Sequence, residues 1–366
     1  GDMAYRIWFV ISFLLVKKKN DNNLKLIWLH FVRTYISVGM FFYFRRIKIY
    51  NVKNVPKNKP VLLLSNHQNA LLDALLIATK CGRLSYFLTR AAVFKKPFIS
   101  KILKSLQMLP VYRIRDGWGN LANNNAIFEN CSKLLNNKEC IVIFPEGNHN
   151  LKRMVRPLSK GFTRIILESV ENYPEMDLQL LSVGVNYTNA EKFPDSTSIY
   201  FGTPLVAKDY ISGNKNEDVV RLKAKIQSDI SKLTTDIPEE HYHETLYELE
   251  RLNVDFLNPN AANTCVKSKF QDCKLQEVQS NTFIKEIFKA LLICAFIVPF
   301  LIWKFVAKPK IKEIEFLSTF RFAMAITLGP LWLISLFIAF VITLGWAVAT
   351  SYLITSICLV LLAVKL

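Results

Sequence analysis

The stretch VLLLSNHQNALLDALLIATK, residues 61–80, contains an apolar run, a polar turn and an amphipathic run, in that order. Val61–Leu64 is predicted to be a short buried strand, because the turn signal NVPKNKP precedes it. Asn69 is a good N-cap for a helix over Ala70–Lys80. His67 therefore follows the carboxyl end of a strand, the edge at which open α/β sheets bind their ligands.

The alternation of strand and helix continues along the chain, with no internal repeat and no low-complexity tract. This order predicts an α/β fold, a layered domain with a largely parallel sheet flanked by helices, over residues 46–235. Residues 236–282 are predicted to be a helical linker. Further strands are predicted over Ile47–Val52, Leu84–Leu88, Leu109–Arg113, Cys140–Phe144, Leu178–Asn186 and Ser198–Phe201, and helices over Pro97–Gln107, Leu121–Leu135, Asp218–Leu233 and Pro238–Leu252.

The C-terminal region, residues 283–366, has the composition of a membrane protein. No charged residue occurs from Phe322 to Val364, a run of 43 residues, which is enough for two crossings of about 20 residues each. Ala290–Trp303 is a shorter uncharged run interrupted by Pro299. By length alone it is a kinked span, a re-entrant segment or a buried helix.

The N-terminal residues 1–45 are predicted to be basic, apolar, membrane-associated helices. The net charge of the 366-residue chain is +18, and residues 1–60 hold twelve Lys or Arg against two Asp. Bases beside aromatic and apolar residues favour an anionic bilayer as partner over nucleic acid. Ile7–Val16 is followed, not preceded, by its lysines, so no cleaved signal is predicted. His30 and Arg33 inside Leu26–Phe44 favour an interfacial helix over a span.

Lysines at 304, 308, 310 and 312 predict the orientation in the membrane, since short basic loops tend to stay cytoplasmic. The protein is therefore expected to be an integral membrane protein with a cytoplasmic catalytic domain. Ala290–Trp303 would be re-entrant, and Phe322–Val364 a helical hairpin turning near Thr343–Trp346. The seven cysteines show no CxxC or Cys/His ligand spacing and are predicted to be free thiols of a reducing compartment.

Three stretches at predicted strand ends could do chemistry. His67 could accept a proton from an alcohol, with Asp73 fixing its tautomer, although a capping histidine and a dipole-compensating aspartate would look the same. FPEG ends a strand at Phe144 and turns at Glu146-Gly147, and an ordinary strand-to-loop exit could equally carry this Pro and Gly. LPVYRIR supplies Arg113 and Arg115, which could hold a phosphate or simply form a solvated edge.

Taken in order, these stretches resemble the sequence blocks of the glycerolipid acyltransferase family, over about residues 45–235. NHQNALLD resembles the His-and-Asp block, LPVYR the arginine block, FPEG the Phe-Pro-Glu-Gly block, and LLSVGVNY, weakly, the fourth block. The resemblance implies that His67 is the general base and that Asp73 orients it. It also implies that Arg113 binds the acceptor's phosphate and that Glu146 and Gly147 form the acceptor-binding turn.

The chain departs from the family pattern at three places. Five residues separate His67 from Asp73 where four are usual, a spacing found in one branch of glycerol-phosphate acyltransferases. Asn148 and His149 replace a small hydroxyl residue and an arginine, so His149 is either a contact to the acceptor or a loop residue. The fourth block lacks its closing proline.

Two further cations follow predicted strands or loops. Arg90 in FLTRAAVFKKP could reach the acceptor headgroup, as could Arg115. Lys160 in PLSKGF precedes Gly161, which would let an anionic group approach closely.

The expected activity is acyl transfer from acyl-CoA or acyl carrier protein to a hydroxyl of glycerol-3-phosphate or lysophosphatidate. No cofactor is expected, and no metal, since no HExxH or similar ligand spacing occurs. No protein nucleophile is expected either, since no GxSxG motif occurs. Another lyso-lipid, for example an amino-acid-derived one, is an alternative acceptor. Other classes are a metal-dependent hydrolase using His67, Asp73, Glu146 and His149, and a non-catalytic membrane scaffold. The oligomeric state is not predicted.

Overall fold

The computed structural model describes residues 2–112, 124–275 and 282–366, and in these ranges eight strands form one sheet. Its order is β1-β7-β6-β2-β5-β3-β4, with β8 paired to β6. All pairs are parallel except β6–β7 and β6–β8. The predicted α/β fold with a largely parallel sheet is confirmed. The strands are β1 (Phe44–Tyr50), β2 (Val61–Ser65), β3 (Tyr86–Arg90), β4 (Met108–Val111), β5 (Cys140–Ile143), β6 (Gln179–Tyr187), β7 (Asp195–Phe201) and β8 (Leu205–Val206).

Helices cover both faces of the sheet. They are α1 (Asp2–Tyr43), α2 (Ala70–Lys80), α3 (Pro97–Ser105), α4 (Asn124–Asn136), α5 (Gly161–Asn172), α6 (Lys215–Leu233), α7 (Tyr242–Arg251), α8 (Pro259–Lys267), α9 (Thr282–Ala295), α10 (Ile297–Ile302), α11 (Leu317–Leu344) and α12 (Trp346–Lys365). The domain boundaries predicted after residues 45, 235 and 282 stay predictions.

Strand β2 shows why both faces must be covered. Val61 and Leu63 belong to the core shared with α2, whereas Leu62 and Leu64 belong to the core shared with α4, α5 and α6. All four side chains are fully buried, and each leucine contributes about 1.5–3 kcal/mol by leaving water. Parallel sheets with helices on both faces have such uninterrupted apolar strands.

Helix α2 has the predicted bounds, while α5 and α8 were not predicted. On α5 the buried side chains Phe162, Ile165, Ile166 and Ser169 follow the spacing i, i+3, i+4, i+7. That spacing is the signature of a helix with one buried face, so the sequence did contain the signal for α5.

Two N-terminal apolar stretches were expected to form separate helices, and this was wrong. Both lie on the single helix α1. Neither proline nor glycine separates Ile7–Val16 from Leu26–Phe44, so nothing in the sequence forces a break.

Within the part of the chain that the structure describes, three helical segments are long and apolar enough to cross a bilayer: Asn23–Tyr43, Ile314–Leu344 and Trp346–Lys365. A fourth candidate, Phe283–Ala295 with Ile297–Lys310, bends by 93° and is either a broken span or a re-entrant loop. The assignment of Ala290–Trp303 as re-entrant therefore stays a prediction.

The helices α11 and α12 form a hairpin that breaks at Gly345, inside the predicted turn. Both ends of the hairpin contact the sheet domain. Ser318 Oγ donates to the carbonyl oxygen of Ala190 at 2.5 Å, and Lys365 Nζ donates to that of Phe44 at 2.7 Å. The start of α11 and the end of α12 therefore both adjoin the sheet domain, and the Gly345 turn lies at the other end of the hairpin.

The cysteine prediction was wrong for one pair. Cys265 and Cys273 form a disulfide, and Cys81, Cys131, Cys140, Cys294 and Cys358 are free. The chain turns back after α8 and brings the two Cα atoms to 4.5 Å, within the range that a disulfide requires. Spacing along the sequence does not reveal such an approach.

Candidate active site

The turn between β2 and α2 brings His67 and Asp73 together. His67 Nδ1 lies 2.9 Å from Asp73 Oδ2. The backbone has a left-handed conformation at Ala70, φ 42°, where the helix begins. Asp73 lies in the first turn of this helix, from which its carboxylate reaches the imidazole.

The carboxylate of Asp73 is completely buried and has three donors. Besides His67, the backbone N–H of Asn69 donates to Oδ2 at 2.8 Å and the Tyr187 hydroxyl donates to Oδ1 at 2.7 Å. A buried carboxylate held by three hydrogen bonds is fixed in position and compensated for the loss of water. Asn69 was predicted to cap α2 with its side chain, but its Nδ2 instead donates to the carbonyl oxygen of Ala190.

The histidine ring is held on its other side by packing. His67 stacks on Phe144, the residue after β5, with ring centroids 4.1 Å apart. Because a carboxylate accepts from Nδ1, that nitrogen bears the proton and Nε2 keeps its lone pair. Among the residues that the structure describes, Nε2 has no hydrogen-bond partner, and the His67 side chain is 16% exposed. This ring can accept a proton from a group that enters the site.

Glu146 is the second buried carboxylate beside His67, and it stabilises a loop. Its Oε2 accepts from Arg156 Nε at 2.7 Å, and Arg156 also donates to Asn148 Oδ1 at 2.9 Å. Glu146 Oε1 accepts a long bond, 3.4 Å, from the backbone N–H of His67. Burial raises the pKa of Glu146, while the Arg156 guanidinium opposes the shift. Gly147, at φ 78°, closes the turn.

The family resemblance implied that Glu146 and Gly147 bind the acceptor, and that role stays a prediction. The Glu146 side chain is only 3% exposed and faces Arg156. A substrate that binds Glu146 would therefore have to share the carboxylate with Arg156.

His149 links the site to the C-terminal region. Its ring lies edge-on to His67, with centroids 5.6 Å apart, and edge-on to Phe316 at 4.7 Å. Its Nε2 lies 3.1 Å from Glu313 Oε2. Burial lowers the pKa of His149, and the bond to Glu313 opposes this shift. The residues 313–316, between α10 and α11, thus form one wall of the site.

Two of the remaining predicted residues, Arg90 and Lys160, lie at the starts or ends of elements near this edge. Arg90 ends β3, two strands from β2, which corresponds to about 10 Å across the sheet. Lys160 is exposed before α5, and its neighbour Ser159 donates its backbone N–H to Pro145 at 2.7 Å. Arg113 and Arg115 lie outside the described residues.

Three residues that shape the site were missed by sequence reasoning: Arg156, Tyr187 and Phe316. Tyr187 closes the quoted stretch LLSVGVNY, and a tyrosine at the end of a buried strand needs a partner for its hydroxyl. Arg156 follows the Glu146 turn by ten residues, within the same loop. No sequence pattern pointed to Phe316, because its contact with His149 joins positions far apart in the chain.

Residues 46–186 match the family model described as Acyltransferase, and this range includes His67, Asp73 and Glu146. An uncharacterized acyltransferase of Schizosaccharomyces pombe is 34% identical over 73 residues, covering 20% of this chain and 11% of that protein. Glycerol-3-phosphate O-acyltransferase 1 of Saccharomyces cerevisiae is 28% identical over 105 residues, covering 27% of this chain and 14% of that protein.

Among solved structures, the 1-acyl-sn-glycerophosphate (LPA) acyltransferase PlsC from Thermotoga maritima superposes with a TM-score of 0.37 at 16% identity. The superposition covers 50% of this chain and 72% of that one. The matched segments span less than a fifth of the length of either yeast relative.

Proposed function

The chain belongs to the glycerolipid acyltransferase family through its acyltransferase domain, and from this premise we propose that it acylates a hydroxyl of a glycerophosphate-type lipid precursor at a membrane. The acceptor would be glycerol-3-phosphate or lysophosphatidate, and the donor acyl-CoA or acyl carrier protein. The product would enter phospholipid biosynthesis.

The observation that carries this proposal is the His67–Asp73 pair, held at 2.9 Å at the carboxyl end of β2. In the proposed reaction His67 Nε2 takes the proton of the acceptor hydroxyl as its oxygen attacks the thioester carbonyl carbon. The carbon–sulfur bond then breaks, and the leaving thiolate takes the proton back from Nε2. Asp73 stabilises the imidazolium between these steps. A general base of this kind contributes about 10²–10⁴-fold.

Binding of an anionic acceptor is assigned to the cations along the edge. Arg90 and Lys160 are both placed at element ends near the site, and Arg113 and Arg115 follow β4 in sequence. Guanidinium groups bind phosphate through paired hydrogen bonds. His149 is a candidate contact to the acceptor as well. Positioning of acceptor and donor would supply much of the remaining rate enhancement.

The decisive experiment is mass spectrometry of the products formed by the purified full chain. Acyl-CoA and acyl carrier protein would each be offered with glycerol-3-phosphate, lysophosphatidate, another lysophospholipid and an amino-acid-derived lyso-lipid. A mass gain of one acyl group on a glycerophosphate acceptor supports the proposal. Acylation of the amino-acid-derived lipid alone would favour the alternative acceptor, and consumption of no donor would favour a non-catalytic scaffold.

A metal-dependent hydrolase is the competing enzyme class. Two of the four residues suggested as its metal ligands already accept hydrogen bonds from protein groups. Asp73 accepts from Tyr187, and Glu146 accepts from Arg156. His149, Glu313 and Glu315 do offer ligand atoms within 4.8 Å of one another, but the Glu313 side chain is 61% exposed. A chelator should leave thiol release unchanged, whereas loss of activity with recovery on adding a divalent cation would favour the hydrolase.

The membrane location carries its own test. We expect the catalytic domain and the lysine cluster at 304–312 to be cytoplasmic. Lys310→Cys, in a chain whose exposed Cys294 and Cys358 are serine, should resist an impermeant thiol reagent in intact cells. Labelling there would mean that Ala290–Trp303 crosses the bilayer.

A further inference from the structure

Helix α3 has no buried residue, although four of its nine residues are large and apolar. Phe98 is 72% exposed, and Ile99 and Ile102 are 39% and 37% exposed. A helix that ordinarily packs on a domain buries its apolar face, and one that leaves it uncovered marks an interaction site. Nothing among the residues that the structure describes covers this face of α3.

The apolar face of α3 is accompanied by four lysines. Lys95 and Lys96 precede the helix, Lys101 and Lys104 lie within it, and all four are exposed. No acidic residue occurs between Tyr86 and Arg115. An apolar face combined with an excess of cations complements the surface of an anionic bilayer, where charged headgroups cover an apolar interior.

Helix α3 also adjoins a second exposed apolar surface, on α1. Trp28 Nε1 donates to Ser105 Oγ at 3.2 Å, which joins the two helices. Along α1 the side chains of Leu24, Ile27, Phe31, Tyr35 and Val38 recur at helical spacing and are 43–66% exposed. The two apolar surfaces are therefore neighbours on one side of the protein.

We propose that α3 docks on the surface of an anionic bilayer, as a membrane contact made by the catalytic domain itself. Phe98, Ile99 and Ile102 enter the headgroup region, and the four lysines pair with lipid phosphates. This inference rests on the proposed membrane location but not on the proposed chemistry. Since α3 follows β3 closely, docking places the Arg90 end of the carboxyl edge against the lipid.

The lipid surface fits this face better than a protein does. The lysines surround the apolar residues without a compensating acidic residue on α3, so a second copy of α3 would bring like charges together. Anionic lipid supplies the opposite charge in excess, at about 1 kcal/mol per basic residue near the surface.

The test uses the full chain in nanodiscs that each hold one copy, with Cys294 and Cys358 changed to serine. A single cysteine replaces Phe98 and bears an environment-sensitive fluorophore. The matched control is the same label at Val220, which is 69% exposed on α6, across the sheet from α1. Lipids with a spin label near the headgroup should quench the label at position 98 at least about threefold more than the label at position 220.

The lipid dependence sharpens the result. Replacing phosphatidylglycerol by phosphatidylcholine, or introducing Lys101→Glu with Lys104→Glu, should reduce quenching at position 98 toward that at position 220. Equal quenching at the two positions in anionic discs would overturn the proposal. So would a blue-shifted emission at position 98 without lipid quenching, because protein would then cover the helix.

The readout is separable from catalysis. If position 98 is quenched while no acceptor is acylated, the docking surface stands and the proposed function fails. If both hold, Phe98→Asp should lower activity several-fold on acceptor embedded in a bilayer. The same variant should keep its activity on a water-soluble, short-chain acceptor.

Discussion

The carboxyl edge of the sheet differs between its centre, at β2 and β6, and its β3/β4 end. At the centre, Asp73 is completely buried and held by His67, Asn69 and Tyr187. At the β3/β4 end, Arg90 is exposed and the neighbouring helix α3 has no buried residue. The central region is thus fixed by hydrogen bonds among buried groups, whereas the end region is exposed to solvent.

Under the proposed function the two regions have separate tasks. A proton transfer requires groups held in place before the substrate arrives, as His67 and Asp73 are in the central region. Binding of a charged headgroup tolerates a solvated, adjustable surface such as the β3/β4 end. Variants in the central region should therefore change kcat, and variants at the β3/β4 end should change the KM for the acceptor.

The largest effect is expected in the central region. His67→Ala should lower turnover at least about 10²-fold, because no base remains for the acceptor hydroxyl. Asp73→Asn should also be severely impaired, since the imidazolium loses its charged partner. Thiol release from acyl-CoA measures both, with the exposed His243→Ala as control. Near-normal turnover by a folded His67→Ala protein would remove His67 from the mechanism.

Arg113→Ala should raise the KM for the acceptor about tenfold, because the proposed charge-assisted contact to the acceptor's phosphate would be lost. The KM for the donor and kcat should change little. Steady-state kinetics with each substrate varied in turn measures this, and Arg251→Ala, remote in the α7 helix, is the control. A larger change in donor KM would reassign Arg113 to the CoA or carrier-protein side.

Glu146→Gln probes the loop after β5, which lies between these two regions and is supported by the buried carboxylate. The amide nitrogen of glutamine cannot accept, so either the bond from Arg156 Nε or the bond from the His67 backbone N–H is lost, which should lower the free energy of unfolding by about 1–3 kcal/mol near neutral pH. Denaturant unfolding of the detergent-solubilised protein measures the change. Glu171→Gln, which removes an exposed ion pair to Lys215, should cost far less. Equal losses in the two variants would mean that the Glu146–Arg156 pair is not a structural contact.

The same variant has a pH signature. Burial raises the pKa of Glu146 above its usual value of 4.5, so the folded state holds this proton more tightly than the unfolded state does. Its contribution to stability is therefore complete below pH 4.5 and declines as pH rises through the raised pKa. The Gln variant should lack this decline when the two proteins are compared by thermal melts at successive pH values.

The smallest effect is expected for Tyr187→Phe, which removes one hydrogen bond from Asp73 and leaves the dyad. A bond worth about 1 kcal/mol corresponds to a loss of about fivefold in kcat with an unchanged acceptor KM. Tyr200→Phe, which removes a bond to the carbonyl oxygen of Leu257, is the matched control. Identical kcat values for the two variants would limit Tyr187 to packing.

The sequence predicted what is local and failed where distant residues meet. The strand, turn and helix over residues 61–80 could be predicted because each depends on residues only a few positions apart. The approach of His67 to Asp73 could be predicted for the same reason. Tyr187 and Phe316 reach the site only because β6 lies beside β2 and because the segment before α11 returns to the loop at His149. Such contacts depend on tertiary packing that no short window of sequence contains.

The position of Phe316 also has a consequence for the order of synthesis. A ribosome that has released the chain as far as α8 has made every strand of the described sheet and both residues of the dyad. The wall formed by residues 313–316 comes only after α9 and α10, and α11 and α12 follow it. The wall of the site is thus completed only when synthesis has reached Phe316, directly before the two C-terminal helices that are long and apolar enough to cross a bilayer.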